Sequence, residues 1–312
     1  MHFLLVGPGA LGCLLSSVVI KGLAVTGDRL SLFDHNAERA EYLNSQGIVY
    51  QQGDIYTTIP VTATSDPQGL GPLDVILLCV KSYDVAASLA LCQPLLTKTT
   101  LVIFLQNGIS HLSMQNLLGD ASAAFATTTE GANLQGRGHV RHAGSGVTYL
   151  GCLETPDARI ALLLERTRAL LAAGALTVHC TDDILTRIWA KLFINVGINA
   201  LTAILACKNG ELLTLPGANE RMQRAVDETL RVARAEGIKV MDDPHRATQI
   251  VCSKTAENVS SMLQDVRNRR RTEIAAINGA VSAKGLIHGI NTPENDLLCR
   301  QVQEIEAGYL QP

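Results

Sequence analysis

The sequence predicts an α/β protein, with an N-terminal Rossmann-type doubly wound parallel sheet over residues 1–182 and an all-helical C-terminal domain over residues 183–312. Three observations predict it. Short apolar runs alternate with helical patterns through the first half, which is the signature of parallel strands joined by helices. A glycine-rich turn follows the first of those runs. Near Asp182 the strand-like runs stop, and apolar residues recur at intervals of three and four.

The strands are expected at Phe3 to Val6, Leu30 to Phe33, Val75 to Val80, Leu101 to Leu105 and Ala123 to Thr128, each short, apolar and bounded by turn residues or helical stretches. Glycines between Gly131 and Gly151, with Val147, Tyr149 and Leu150, suggest a hairpin added to that sheet. In the second half, helices are expected over Asp183 to Cys207, Gly217 to Glu236, His245 to Lys254, Ser261 to Lys284 and Pro293 to Leu310. An open α/β sheet binds ligands in a crevice outside the carboxyl ends of its strands, so the helical domain is expected to supply the other wall.

Composition narrows the partner. Apolar residues are 47% of the chain and charged ones 18%, enough to form compact cores throughout. Lys plus Arg number 26 against 29 acidic residues, so the net charge of −3 offers no basic field to nucleic acid or anionic lipid. The expected partner is a small molecule, and a homodimer is compatible with the sequence. Eight cysteines lie scattered without a CxxC pair, which predicts reduced thiols in the cytoplasm and no metal site. The apolar first twenty residues mimic a signal peptide, but they lack a basic leading region and are broken by Gly7, Pro8, Gly9 and Gly12.

Gly7, Pro8, Gly9, Ala10, Leu11 and Gly12 form the pattern GxGxxG between the first strand and an apolar helix. In that context the first glycine makes the tight turn, the second lets backbone approach a pyrophosphate, and the third lets helix pack on strand. Asp34 ends the next strand, where a carboxylate accepts from a ribose 2′-hydroxyl and so favours NAD(H). His35, Arg39 and Lys81 offer positive charge that would suit the extra phosphate of NADP(H). Asp34 has a plainer alternative as a cap of the helix over residues 36–46.

Lys191, Asn195 and Asn199 recur at intervals of four on an otherwise apolar helix, so they share one face. Exposed helical faces favour Glu, Lys and Arg over repeated Asn, so the stripe reads better as the wall of a wet cleft than as a solvated face. Asn209 precedes Gly210, read as a left-handed helix terminator, and serves as a ligand group or a turn residue. Ser261 with Gln264 has the spacing of a capping box, which either presents a hydroxyl to a carboxylate or simply caps the helix. Glu273 either binds a substrate hydroxyl or pairs with Arg269 or Arg270 at helical spacing. The arginines at 267, 269, 270 and 271 read as a solvated face.

With these residues in place the chain resembles the ketopantoate reductase (2-dehydropantoate 2-reductase) family over nearly its whole length. The likeness is carried by GPGALG, VKSYD at 80–84, LQNG at 105–108, KLFINVGINALTAIL at 191–205, NGEL at 209–212 and SSMLQDVRNRRRTEIAAINGA at 260–280. It implies reduction of a 2-keto acid by NADPH, with Lys191 as the catalytic lysine and Glu273 as the substrate-binding glutamate. It also implies substrate contacts from Asn195, Asn199, Asn209 and Ser261, with Asn107 at the nicotinamide and substrate and Lys81 near the adenosine phosphate. The family usually carries a basic residue where this chain has Asp34 and His35, so both NADP(H) and NAD(H) stay open. Two other readings are admitted: a dehydrogenase of another 2-keto acid, and a dinucleotide-binding redox sensor without catalysis.

Overall fold

The computed structural model describes residues 1–23 and 27–310 of the chain. The chain divides into two compact units, one comprising Met1–Gln106 and His111–Ile184, the other Asn107–Ser110 and Leu185–Pro312. The four residues after Gln106 thus group with the helices, not with the sheet they leave.

The first unit contains β1 (His2–Val6), α1 (Ala10–Leu23), β2 (Arg29–Phe33), α2 (Ala37–Gln46), β3 (Ile48–Gln52), β4 (Ile55–Ile59), β5 (Ala63–Thr64), β6 (Val75–Leu78), α3 (Val85–Cys92), β7 (Leu101–Phe104), β8 (Ser122–Thr128), β9 (Gly131–Gly136), β10 (His139–Gly144), β11 (Val147–Gly151), α4 (Ala158–Ala173) and β12 (Thr177–Cys180). The main sheet has the order β12-β11-β8-β7-β6-β1-β2-β5, parallel from β5 to β8. β11 runs antiparallel to β8. From β1 the chain builds outward through β2 and β5, then returns to β6 on the other flank of β1. That reversal makes a switch point between the carboxyl ends of β1 and β6, where loops diverge and leave room for a ligand.

The five expected strands all form. The hairpin expected between Gly131 and Gly151 is a correction: β9 and β10 pair with each other but belong to a second, four-stranded sheet of order β4-β3-β10-β9, and only β11 joins the main one. β3, β9 and β10 of this smaller sheet pack against α1, as do β1 and β2 of the larger one, so every residue from Gly12 to Val19 is buried. Close approach of α4 requires glycine on both partners: a Cβ at Gly22 would stand 2.5 Å from the Leu170 carbonyl oxygen, and one at Gly174 would stand 2.2 Å from that of Val18.

The second unit contains α5 (Ile184–Leu205), α6 (Ala218–Ala235), α7 (Pro244–Lys254), α8 (Ser261–Arg267), α9 (Asn278–Ile287) and α10 (Pro293–Ala307). α5 is long and apolar enough to cross a membrane, yet 67% of its most apolar window is buried within the fold, and its composition is explained by the helices around it. At Gly197 an added Cβ would touch Met222 of α6 and Thr248 of α7, both at 3.0 Å.

The single helix expected over Ser261 to Lys284 is interrupted. α8 ends after Arg267, Arg269 turns left-handed at φ 52°, and the Arg270 amide reaches back to the Asp265 carbonyl at 2.8 Å. A continuous helix would set Arg267 against Arg270 and Arg271 at like-charge spacing, which costs a few tenths of a kcal/mol per pair. Helical pairing of Glu273 with Arg269 or Arg270 loses its geometric basis, because Thr272 to Ile277 are not helical.

Candidate active site

In the first unit the glycine turn has the shape that phosphate binding requires. Gly7 has φ +87°, and a Cβ there would meet Val80 Cγ1 at 2.5 Å; a Cβ at Gly12 would meet the Gly7 carbonyl oxygen at 2.2 Å. At Gly9 an added Cβ meets nothing within 4 Å, so the backbone lies open beneath the start of α1. Two glycines are therefore forced by the protein itself, and the third leaves space for something outside it. Cys13 donates from its amide to the Gly9 carbonyl at 2.8 Å, so the turn passes directly into α1 and its positive end. Pro8 is buried at the apex, while Ala10 and Leu11 open the helix half-buried.

Asp34 directly follows β2, with its side chain fully buried. The Arg39 guanidinium grips the carboxylate from both sides: Nε donates to Oδ2, and Nη2 donates to Oδ1 at 2.8 Å. The Asn36 amide also donates to Oδ1, at 3.0 Å. The helix cap is Asn36, whose side chain accepts from the Arg39 amide at 2.9 Å, so the capping alternative for Asp34 is set aside. Lys81 lies three residues beyond β6, on the flank of the switch point. Gln106, buried after β7, donates to the carbonyls of Leu78 at 2.9 Å and Val80 at 3.1 Å and so ties down the loop that leads to Lys81.

In the second unit Lys191 Nζ donates to Asn107 Oδ1 at 2.8 Å, and Asn107 Nδ2 donates to Glu273 Oε2 at 3.0 Å. Three residues far apart in the sequence thus form one chain of ammonium, amide and carboxylate. Part of the Lys191 side chain keeps solvent access, yet burial of its ammonium pushes the pKa down from 10.5 to about 8, against an opposing pull from the Glu273 charge. Asn195 and Asn199 follow one and two turns along α5, and Thr202 continues the stripe. Thr202 Oγ1 donates to Ser260 Oγ at 2.7 Å, which binds α5 to the start of α8.

Residues 3–155 match the family described as ketopantoate reductase PanE/ApbA, and residues 183–306 match ketopantoate reductase PanE/ApbA C terminal. The chain belongs to the ketopantoate reductase family. Curated ketopantoate reductases agree: the 2-dehydropantoate 2-reductase of Halobacterium salinarum is 35% identical over 300 residues, covering 94% of this chain and 95% of that protein. That of Vibrio cholerae is 32% identical over 314 residues, covering 99% of each. Among solved structures, a PanE/ApbA family ketopantoate reductase from Ralstonia eutropha has a TM-score of 0.88 at 29% identity over 99% of both chains. A D-mandelate dehydrogenase solved with NADH and anilino(oxo)acetate has a TM-score of 0.90 at 27% identity, also over 99% of both chains.

Within this family frame, Lys191, Asn107 and Glu273 are the expected site residues that hydrogen bonds join. The cap of α8 is a correction: Ser260, not Ser261, accepts from the Leu263 amide at 3.1 Å, and Gln264 donates instead to the Val259 carbonyl at 3.0 Å. Ser261 is left exposed as the first residue of α8. Gly210 is a second correction. It sits in a short 3-10 turn without positive φ, and Ala206 at φ 52° is the left-handed residue after α5. Glycine is needed at 210 because a Cβ would stand 2.6 Å from that of Ala256. Asn209 beside it is buried, donates to Thr255 Oγ1 at 2.9 Å, and leaves its own buried Oδ1 without a partner. Thr202, Ser260 and Gln106 were missed. The sequence held a signal for Thr202, which extends the Lys191, Asn195, Asn199 face by three.

Proposed function

We propose that this ketopantoate reductase family member is a 2-dehydropantoate 2-reductase, reducing ketopantoate to pantoate on the route to pantothenate and coenzyme A. The observation that carries the reading is the buried Lys191 ammonium, poised near neutral pH and held by Asn107 beside Glu273. A reduced nicotinamide dinucleotide supplies the hydride when bound, and the open backbone at Gly9 below the head of α1 fits its pyrophosphate. The N-terminal unit is the proposed dinucleotide holder, through residues 7–12, Asp34 and Lys81. The helical unit is the proposed substrate holder.

Lys191 gives its proton to the oxygen at C2 as the keto group becomes an alcohol; a lysine with pKa near the working pH is a competent general acid. Asn107, Asn195 and Asn199 orient the carbonyl by hydrogen bonds. Ser261 and Asn209 hold the polar ends of the keto acid, and Glu273 accepts from its terminal hydroxyl. The Asn209 Oδ1 without an internal partner is consistent with a ligand donor there. The proposed partner is a small keto acid, and the proposed compartment is the cytoplasm, in keeping with eight unpaired thiols.

The test is oxidation of NADPH and NADH in parallel with ketopantoate. Substrate-dependent turnover is the expected result, and its absence with both cofactors overturns the reading. A second reading, a reductase of another 2-keto acid using NADH, is favoured by one observation: Asp34, buried and negative, stands where a 2′-phosphate would need positive charge. A keto acid without a terminal hydroxyl that is reduced as well as ketopantoate selects this second reading, since Glu273 should reward the hydroxyl.

A further inference from the structure

We infer that Gly108 is a positioning residue for the reduction: by docking on the backbone of Ala276 it seats Asn107 between Lys191 and Glu273. The inference rests on the proposed role of Lys191 as the acid. Asn107–Ser110 is a four-residue strap that leaves the end of β7 yet groups with the helical unit. Gly108 adopts φ +78°, and a Cβ there would stand 1.9 Å from the Ala276 carbonyl oxygen and 2.5 Å from its carbon. No side chain fits against that carbonyl without displacing backbone. The next amide, that of Ile109, donates to the same oxygen at 3.2 Å. One carbonyl therefore holds the strap by a hydrogen bond and by direct contact.

Ala276 is itself tied to Glu273, whose carbonyl accepts from the Ala276 amide at 3.0 Å. The docking point and the carboxylate lie on one tight turn, so seating the strap also sets the distance from Asn107 to Glu273. Chemistry then sets the orientation of the Asn107 amide. An ammonium only donates and a carboxylate only accepts, so Oδ1 faces Lys191 and Nδ2 faces Glu273. A strap lifted by even an ångström would break both bonds at once, and misplacement on that scale in an active site costs on the order of a hundredfold in rate.

Gly108→Ala is expected to lower kcat on the order of a hundredfold. Gly217→Ala is the control, since Gly217 has φ +75° but open space where the methyl would go. It carries the same backbone penalty without the collision, and it should change kcat by less than about twofold. Combining Gly108→Ala with Asn107→Ala should cost no more than Asn107→Ala alone, because a residue acting through Asn107 has nothing left to position. Losses that multiply, or an equal loss in Gly217→Ala, overturn the inference. A measurement on the wild-type protein covers the case in which Gly108→Ala does not fold: in native-state hydrogen exchange the Ile109 amide should open with the amides of α5. Opening with β7 instead overturns the seating. A wild-type protein that reduces no keto acid sinks the proposed function, while the exchange result still decides whether the strap is docked.

Discussion

Lys191 donates a 2.8 Å hydrogen bond to the side-chain oxygen of Asn107, 84 residues earlier in the chain. The neutral amide stands between the ammonium and Glu273, accepting from one and donating to the other. A direct buried ion pair would stabilise the charged lysine and push its pKa up. With an amide interposed, burial wins over the more distant carboxylate and the pKa falls to about 8. The interposed amide therefore keeps Lys191 an acid that releases its proton near neutrality.

Reduction consumes the protonated form of Lys191, so kcat in the reductive direction should fall as pH rises through about 8. Oxidation of the hydroxy acid needs the neutral amine and should rise through the same range. Lys191→Ala should lower kcat by roughly 10²- to 10⁴-fold, while dinucleotide affinity, measured by fluorescence titration, survives. An unchanged turnover in that variant removes Lys191 from the mechanism.

Glu273→Gln probes two roles together. The negative charge raises the Lys191 pKa, so its removal should move the alkaline limb of the reductive profile to lower pH than in the wild type. If Glu273 binds the substrate hydroxyl equally in ground and transition states, KM for ketopantoate rises while a keto acid lacking that hydroxyl is little affected. A limb that moves to higher pH contradicts the electrostatic assignment.

Legibility followed the range of the interactions. The parallel strands and the GxGxxG turn were readable because each leaves a local mark in the sequence, a short apolar run or a glycine spacing, even though β1 pairs with β6 across 72 residues; Gly7 and Gly12 have the tight turn and the close packing that their positions suggested. Lys191, Asn195 and Asn199 were placed on one face of α5 by helical spacing alone. The smaller sheet was not, since β10 pairs with β3 across some 90 residues. Ser260 escaped for a subtler reason: the spacing to Gln264 singles out Ser261, whereas Ser260 has Leu263 at that position, and the Thr202 hydroxyl that binds Ser260 comes from another helix. The break after Arg267 was hidden by apolar positions that kept a helical period across it. α8 ends where the Asn268 amide turns back to the Gln264 and Val266 carbonyls and Arg269 takes a left-handed backbone, and a hydrophobic pattern registers neither.

Gly9 and Gly12 should part company when each becomes alanine. At Gly9 a methyl meets no protein atom within 4 Å, so melting should be nearly unchanged while dinucleotide affinity drops, because the methyl fills the space proposed for the pyrophosphate. At Gly12 it would stand 2.2 Å from the Gly7 carbonyl, so α1 must shift, at a cost of about 3 kcal/mol read as a lower urea midpoint. Equal loss of stability in both variants would mean that the space above Gly9 is not open in solution.

Asp34 and Arg39 give the cofactor preference a handle. In the present arrangement the guanidinium is bound by the buried carboxylate, and with the Asn36 amide it satisfies both carboxylate oxygens. A 2′-phosphate brought to this strand end would have to draw Arg39 off Asp34 and would face the bared carboxylate, whereas a ribose hydroxyl needs only one acceptor. Asp34→Ala removes the repulsion and frees Arg39, so the Kd ratio of NADPH to NADH should fall at least about tenfold, equivalent to about 1.4 kcal/mol. Adding Arg39→Ala to that variant should reverse the gain, since the freed guanidinium is what the phosphate would bind. Fluorescence titration of each cofactor against the wild type, Asp34→Ala and the double variant measures this. A ratio that does not move in Asp34→Ala would place cofactor choice elsewhere, with Lys81 the next residue to vary.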